Sequence, residues 1–288
     1  MRVAAIQTTA GSDRNANFAA GDLLVAEAAD QGAALVVLPE WSSVAGSRRV
    51  LHAAAEDLEG PTLTWASATA DRLGIHLVAG SFPERCEDGR IANTSCLVGP
   101  DGSLLAVYRK IHLFDVSVPG AEFRESDTIA PGDSAVVAVM AASDASPTPP
   151  PVIGLSLCYD VRFPELYRVL TLAGATVLVV PAAFTAVTGP AHWELLLRAR
   201  AVENACFVIG AGQVGQLPHG MPACHGHSMI VDPWGVVLAE RTGPDPGIVV
   251  ADLDMGALAD VRSRLPVLAN RQPGAYRGLH GNDRGNTF

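Results

Sequence analysis

Glu40, Lys110 and Cys158 are the residues of this chain whose types and settings can do chemistry together. Cys158 stands in LSLCYDVRFPEL, where the apolar run 152–157 leads straight into a segment opened by Pro164. A thiol on a strand-to-helix turn is lifted out of the sheet, and nearby backbone N–H groups can hold an oxyanion, so the position suits a nucleophile. Read alone, Cys158 is more often an inert core thiol than a nucleophile, because free cysteine is among the most buried residue types. Glu40 ends LVVLPE, just beyond an apolar strand, where open α/β sheets keep their ligands. Lys110 closes the mostly apolar SLLAVYRK. Either charge taken singly reads as a solvated strand end. A carboxylate, an ammonium and a thiol, each at a strand end, together specify a site.

That set suits amide hydrolysis. A free thiol has a pKa of about 8.5, so the expectation is that the Lys110 ammonium and the N-terminal end of the following helix stabilise its thiolate. Cys158 attacks the amide carbonyl, while Glu40 takes the thiol proton and passes it to the leaving nitrogen. Lys110 and the backbone N–H of Tyr159 hold the oxyanion. Glu40 then activates water to release the acid from a thioester. No metal or organic cofactor is needed.

The elements that must position these residues follow from periodicity and turn residues. Strands are predicted at 2–9, 34–38, 76–81, 91–98, 103–110, 135–140, 152–157, 176–180 and 206–211, and helices at 15–31, 62–73, 164–173 and 192–204. Gly99-Pro100-Asp101-Gly102 and Asp232-Pro233-Trp234-Gly235 close two hairpins. SCLVGPDGSLLA (95–106) matches SMIVDPWGVVLA (228–239), and LVVLPE (35–40) matches VLVVPA (177–182), so two similar α/β halves are expected, with Ala182 at the place of Glu40.

Longer blocks carry a family resemblance. LVVLPEW, YRKIHLFD and GLSLCYDVRFPEL together look like the signature blocks of the nitrilase superfamily, the carbon–nitrogen hydrolases with a Glu-Lys-Cys triad. The similarity extends from VAAIQTTAGSDRNAN through TGPAHWELLLRARAVEN to GHSMIVDPWG and LPVLANRQP. The resemblance implies that Glu40, Lys110 and Cys158 are the triad and that Glu125, in FRESDTIAPGD, is the assisting glutamate. It implies an α/β fold, a four-layer α-β-β-α sandwich, and a homodimer or larger homo-oligomer. Residues 1–270 form a single hydrolase domain on this reading, and 271–288 a tail set against a neighbouring subunit or left mobile.

Tyr159-Asp160 after the nucleophile is similar to the small-amidase branches, where true nitrilases usually carry Trp-Glu. Within these branches the blocks resemble deaminated-glutathione amidases most closely and omega-amidases of alpha-keto amides next. The implied substrate is a small amide bearing a carboxylate. Arg162, Arg198 and Arg200 are candidates to bind that carboxylate, although helix arginines more often form internal ion pairs. Phe184, Thr185, Thr188 and His192 follow a strand end and are candidate pocket residues. Rival readings are another aliphatic amidase, acyl transfer to an amine, and a catalytically silent binding protein on the same scaffold. The loops 147–151 and 213–227 depart from the pattern, and such loops set substrate choice.

Composition excludes other classes. The chain has 288 residues, 49% of them hydrophobic and 17% charged, and a formal charge of −10 without a Lys/Arg cluster, which argues against nucleic acid or an anionic membrane as partner. No secretory or membrane-spanning stretch is legible, and five cysteines without framework spacing suit a cytoplasmic enzyme. Gly210 to Gly215 fits G-x-G-x-x-G, but Pro218 and Pro222 break any helix there, so no dinucleotide site is expected. His219, Cys224, His225 and His227 match no zinc spacing. The proline-rich stretch 143–151 reads as an exposed loop.

Overall fold

Apolar side chains fill successive positions of the inner strands, so both faces of each sheet must be covered. Val3, Ala4, Ala5 and Ile6 are all fully buried, as are Val177, Leu178, Val179 and Val180. A computed structural model describes residues 1–118, 121–140, 149–218 and 221–276. In chain order the first half carries β1 (Arg2–Gln7), α1 (Arg14–Asp30), β2 (Leu35–Val37), α2 (Arg48–Ala53), α3 (Pro61–Leu73), β3 (His76–Val78), β4 (Phe82–Arg85), β5 (Ile91–Val98), β6 (Leu104–Arg109), β7 (Asp115–Val118), β8 (Ala121–Arg124) and β9 (Ile129–Ala130). The second carries β10 (Val137–Val139), β11 (Val152–Leu155), α4 (Pro164–Leu172), β12 (Val177–Ala182), α5 (Gly189–Asn204), β13 (Phe207–Gly212), β14 (Val214–Gln216), β15 (Ala223–His225), β16 (Met229–Val231), β17 (Val237–Glu240), β18 (Gly247–Asp252) and α6 (Met255–Arg264).

Two sheets face each other. One runs β18-β1-β2-β3-β5-β4, with β6 and β9 also on β5; the other runs β10-β11-β12-β13-β16-β17. Val3, Ala5, Leu35 and Val37 of the first sheet share a core with Ile153, Leu155, Val177 and Phe207 of the second. Each such Val, Leu, Ile or Phe side chain contributes about 1.5–3 kcal/mol relative to exposure. The opposite face of the first sheet, with Ala4 and Val36, packs on Val25 of α1 and Ala66 of α3. That of the second, with Leu178 and Val208, packs on Leu170 of α4 and Trp193 of α5. The layers are therefore α-β-β-α, as the sequence led us to expect.

The internal likeness is structural too. In each half three parallel strands (β1, β2, β3 and β11, β12, β13) meet an antiparallel fourth (β5 and β16) and its hairpin mate (β6 and β17). An antiparallel strand flanks the other edge (β18 and β10). Both hairpins shift register at matching places, between Leu97 and Val98 and between Ile230 and Val231. Such bulges bend a strand and raise its twist, so the shared position marks a shared shape.

Local signals set several ends. Asp13 caps α1 by accepting from the N–H groups of Asn15 and Ala16, and Pro61 opens α3. α5 begins at Gly189 rather than at 192: Pro190 suits a first helical turn, and a Cβ at 189 would lie 2.2 Å from the His225 ring. Residues 214–216 form a strand paired with β15, so no helix follows the Gly210 to Gly215 pattern. The stretch 141–148, His219 and residues 277–288 lie outside the described residues, and with them most of the proline-rich loop and the tail. No described helix is long and apolar enough to cross a membrane.

Gly80 shapes the site end of the first sheet. Its φ is 65°, and a Cβ there would stand 2.0 Å from Pro39 O and 2.3 Å from Ser42 Oγ. The chain leaving β2 can therefore lie against the chain leaving β3, where Trp41 N–H donates to Ser81 Oγ at 2.8 Å. Gly80→Ala should lower stability by more than the roughly 1–2 kcal/mol of the left-handed backbone alone, and should displace Glu40. A denaturation midpoint equal to wild type would contradict this.

Candidate active site

Glu40, Lys110 and Cys158 each follow the end of a strand, β2, β6 and β11, and line one cavity together. Glu40 Oε1 accepts from Lys110 Nζ at 2.9 Å and from Asn93 Nδ2 at 2.9 Å, while Oε2 accepts from Ala183 N–H at 2.9 Å. Its backbone carbonyl accepts from Gln213 Nε2 at 2.9 Å. Donors from three separate segments thus fix the carboxylate, and a fourth fixes the backbone that carries it. Three of them, Asn93, Ala183 and Gln213, were not singled out by the sequence.

Lys110 is buried and shared. Its Nζ also donates to Glu125 Oε1 at 3.1 Å and Oε2 at 2.9 Å, and Phe114 N–H donates to Glu125 Oε2 at 2.6 Å. Burial is the strongest single influence on the ammonium and disfavours its charge. Glu125 and Glu40 together outweigh it, so the Lys110 pKa stands well above the ordinary lysine range. Burial raises the Glu125 pKa, with Lys110 opposing. Glu125 lies in a short 3₁₀ turn after β8, which brings it to the site from a segment that reads as loop.

Cys158 has φ 46°, a left-handed conformation unusual for a residue with a side chain. Such strain clusters at functional sites. The thiolate expected from the sequence is not what the surroundings favour. Burial, then the neighbouring Glu40, push the thiol well above its ordinary range, and Lys110 opposes them without prevailing. The resting site therefore keeps a neutral thiol beside the Glu40 side chain. Titrating thiolate absorbance as wild type minus Cys158→Ala should show no signal at neutral pH and a rise only above pH 9. A thiolate signal already present at pH 7 would refute that assignment.

These groups form the floor of a cavity of ≈ 330 Å³. Trp41, Leu51, Phe114, Phe123 and Met221 give it apolar walls, and Tyr159, Arg162, Phe184, Thr185 and Thr188 line it as well. His192 is not in that lining. Its Nδ1 instead contacts Arg162 Nη1 at 3.2 Å, so it supports a wall residue. Arg162 also reaches Thr188 Oγ1 at 3.5 Å and lies over the Phe184 ring at 5.1 Å. Among the described residues no carboxylate pairs with it. Arg198 and Arg200 are spent internally, on Glu194 and Gly235 O and on Glu203 and Val161 O.

A carbon–nitrogen hydrolase family model matches residues 2–263. The chain is a carbon–nitrogen hydrolase. Deaminated glutathione amidase of Bos taurus is 42% identical over 283 residues, covering 96% of this chain and 84% of the relative. Omega-amidase NIT2 of Danio rerio is 40% identical over 276 residues, covering 96% of each chain. A glutamate-to-glutamine mutant of the amidase from Nesterenkonia sp. AN1, with acrylamide added at its active-site cysteine, superposes with a TM-score of 0.73 at 30% identity, over 92% of this chain and 98% of that one. The hydrolase belongs to the nitrilase superfamily.

The remaining cysteines of the hydrolase do not line the cavity: Cys96, Cys206 and Cys224 are buried and Cys86 half-buried, all as free thiols, with Cys224 beside Thr185 of the wall. The His225 and His227 rings stack at 4.2 Å, and His227 Nδ1 meets Glu240 at 2.5 Å. Among the described residues no group of His, Cys, Asp and Glu is arranged to hold a metal ion.

Proposed function

We propose that the hydrolase cleaves the amide of a short, carboxylate-bearing substrate through a Cys158 thioester, in the manner of deaminated glutathione amidase. The observation that carries this is the single carboxylate of Glu40, held by Asn93, Lys110 and Ala183 N–H in the cavity that Cys158 also lines. Cys158 sulfur bonds to the carbonyl carbon while Glu40 takes its proton. Lys110 and Tyr159 N–H face the developing oxyanion, a kind of donor worth about 3 kcal/mol each. Glu40 gives the proton to the nitrogen, the C–N bond breaks, and ammonia or an amine leaves. Glu40 then takes a proton from water, the hydroxide attacks the thioester, and the sulfur leaves and regains its proton. Glu125 keeps Lys110 in place and helps position substrate or water. Arg162, a guanidinium without a carboxylate partner on the cavity wall, receives the substrate carboxylate, with Phe184, Thr185 and Thr188 around it and His192 behind.

Further parts of this reading are organisational. Residues 1–270 make one hydrolase domain, with 271–288 as its tail. Val169 and Leu172 on α4 and Leu195 and Val202 on α5 are at least 49% exposed, an apolar outer layer that suits a homodimer or larger assembly. Five free thiols suit the cytoplasm.

Intact mass after exposure to deaminated glutathione, alpha-ketoglutaramate and simpler aliphatic amides tests the proposal. An acyl adduct on wild type and none on Cys158→Ala is expected, with native-condition spectra giving the subunit number. The first two amides share one acyl group, so release of cysteinylglycine against ammonia separates the two amidase readings, and hydroxamate formation with hydroxylamine reveals acyl transfer. No adduct and no turnover with any of them would favour a silent binding protein.

A further inference from the structure

Asp160 lies two residues beyond the thiol and is fully buried. Four donors converge on it, as many as one carboxylate can accept. Oδ2 receives Tyr108 OH at 2.6 Å and Leu157 N–H at 2.8 Å. Oδ1 receives His112 N–H at 3.0 Å and contacts His112 Nδ1 at 2.8 Å. Tyr108 and His112 stand two residues before and two after Lys110, and Leu157 immediately precedes Cys158. The carboxylate therefore ties both flanks of the ammonium to the turn that carries the thiol. Tyr108 OH also accepts from Ile111 N–H at 3.4 Å, closing the turn around Lys110 from the same side.

We propose that Asp160 and His112 are a positioning pair that sets where the Lys110 ammonium stands relative to the Cys158 thiol. The inference rests on the triad reading above. The Lys110 backbone is anchored separately, its N–H on Asn93 O at 2.9 Å and its carbonyl on Gly132 N–H at 2.8 Å. Those bonds fix the strand end, whereas the long side chain takes its direction from the flanking turn that Asp160 grips. The left-handed Cys158 is gripped by the same residue through Leu157 N–H, a case of backbone strain held by its surroundings.

His112 has a second contact that makes the test decisive. Its ring stacks on Phe163 with centroids 3.6 Å apart and planes within 6°. His112→Phe keeps a ring on Phe163 and removes the donor to Asp160; His112→Asn keeps a donor near the Nδ1 position and removes the ring. The probe is acrylamide, which takes the sulfur on its β-carbon and the thiol proton on its α-carbon, followed by intact mass at several concentrations. His112→Phe should lower the limiting rate of Cys158 addition by about 10- to 100-fold, the scale of an ångström of misplacement, with half-saturation within about threefold of wild type. His112→Asn should recover most of the rate. Asp160→Asn, if it folds by circular dichroism, should fall at least as far as His112→Phe. A role in packing alone predicts the reverse order of the two His112 variants, and that order, or equal rates in all proteins, would overturn the proposal while leaving the triad standing. The absence of both an adduct and acrylate release with wild type would overturn the triad reading and the proposal with it.

Discussion

Cys158→Ala is expected to abolish turnover while the protein folds as before. The loss should be on the order of 10⁴-fold or more in kcat, the scale seen when a covalent nucleophile is removed from a catalytic unit. Stability should barely change, because alanine keeps the Cβ and inherits the same left-handed backbone. It also removes a thiol that burial and Glu40 hold neutral, so no buried charge loses its partner. Amide consumption and a denaturation curve on the same preparation check both halves. Turnover within an order of magnitude of wild type would rule out the thioester route. A collapsed denaturation midpoint would instead assign Cys158 to the core.

Lys110→Met should damage both stability and activity. Lys110 and Glu40 are 2% and 3% exposed, and Glu125 is 14% exposed, so the variant leaves two buried carboxylates without their cation. Removing one member of a buried pair costs about 3–5 kcal/mol. The pH dependence has a definite sign. In wild type the Lys110 pKa is raised in the folded state, so its stabilisation is complete below the unfolded pKa and is lost as pH rises through the folded value, on the alkaline side. Glu125, whose folded pKa is already raised, loses in the variant the cation that opposed that rise. The stability its protonated form gives is therefore present below the unfolded pKa and lost as pH climbs. The deficit of Lys110→Met should be largest near neutrality and shrink toward pH 4–5, as shown by denaturation at both ends. Equal stability of the two proteins at neutral pH would mean that Lys110 does not compensate the carboxylates.

The parts of the site that the sequence made legible are those signalled by contrast. Glu40, Lys110 and Cys158 interrupt or end apolar runs, and the likeness of 95–106 to 228–239 anticipated hairpins that bulge at the same place. Asn93 had a weaker signal of this kind, an amide inside an eight-residue strand buried throughout. Ala183 and Gln213 had little. One acts through a backbone N–H, which every residue but proline has, and the other bridges to a carbonyl 173 positions away. The raised Cys158 pKa was not legible, because desolvation depends on tertiary burial, whereas motif order shows only the nearby ammonium. β18 and α6 were within reach: Ile248 to Ala251 is an apolar run, and Asp254 is an N-cap that accepts from Gly256 and Ala257 N–H. The helix α2 and the β7–β8 hairpin are short enough for neighbours to decide them.

Ala182, the counterpart of Glu40 in the second half, sits beside the residue whose N–H holds Glu40. The two matching strand ends therefore meet at one centre instead of opening two. A second carboxylate at 182 would stand close to the first, and like charges at short range resist joint ionisation. Doubling of the half-chain architecture thus brings no doubling of catalytic stoichiometry: each polypeptide offers one acylation equivalent, and an assembly of n chains should burst with n.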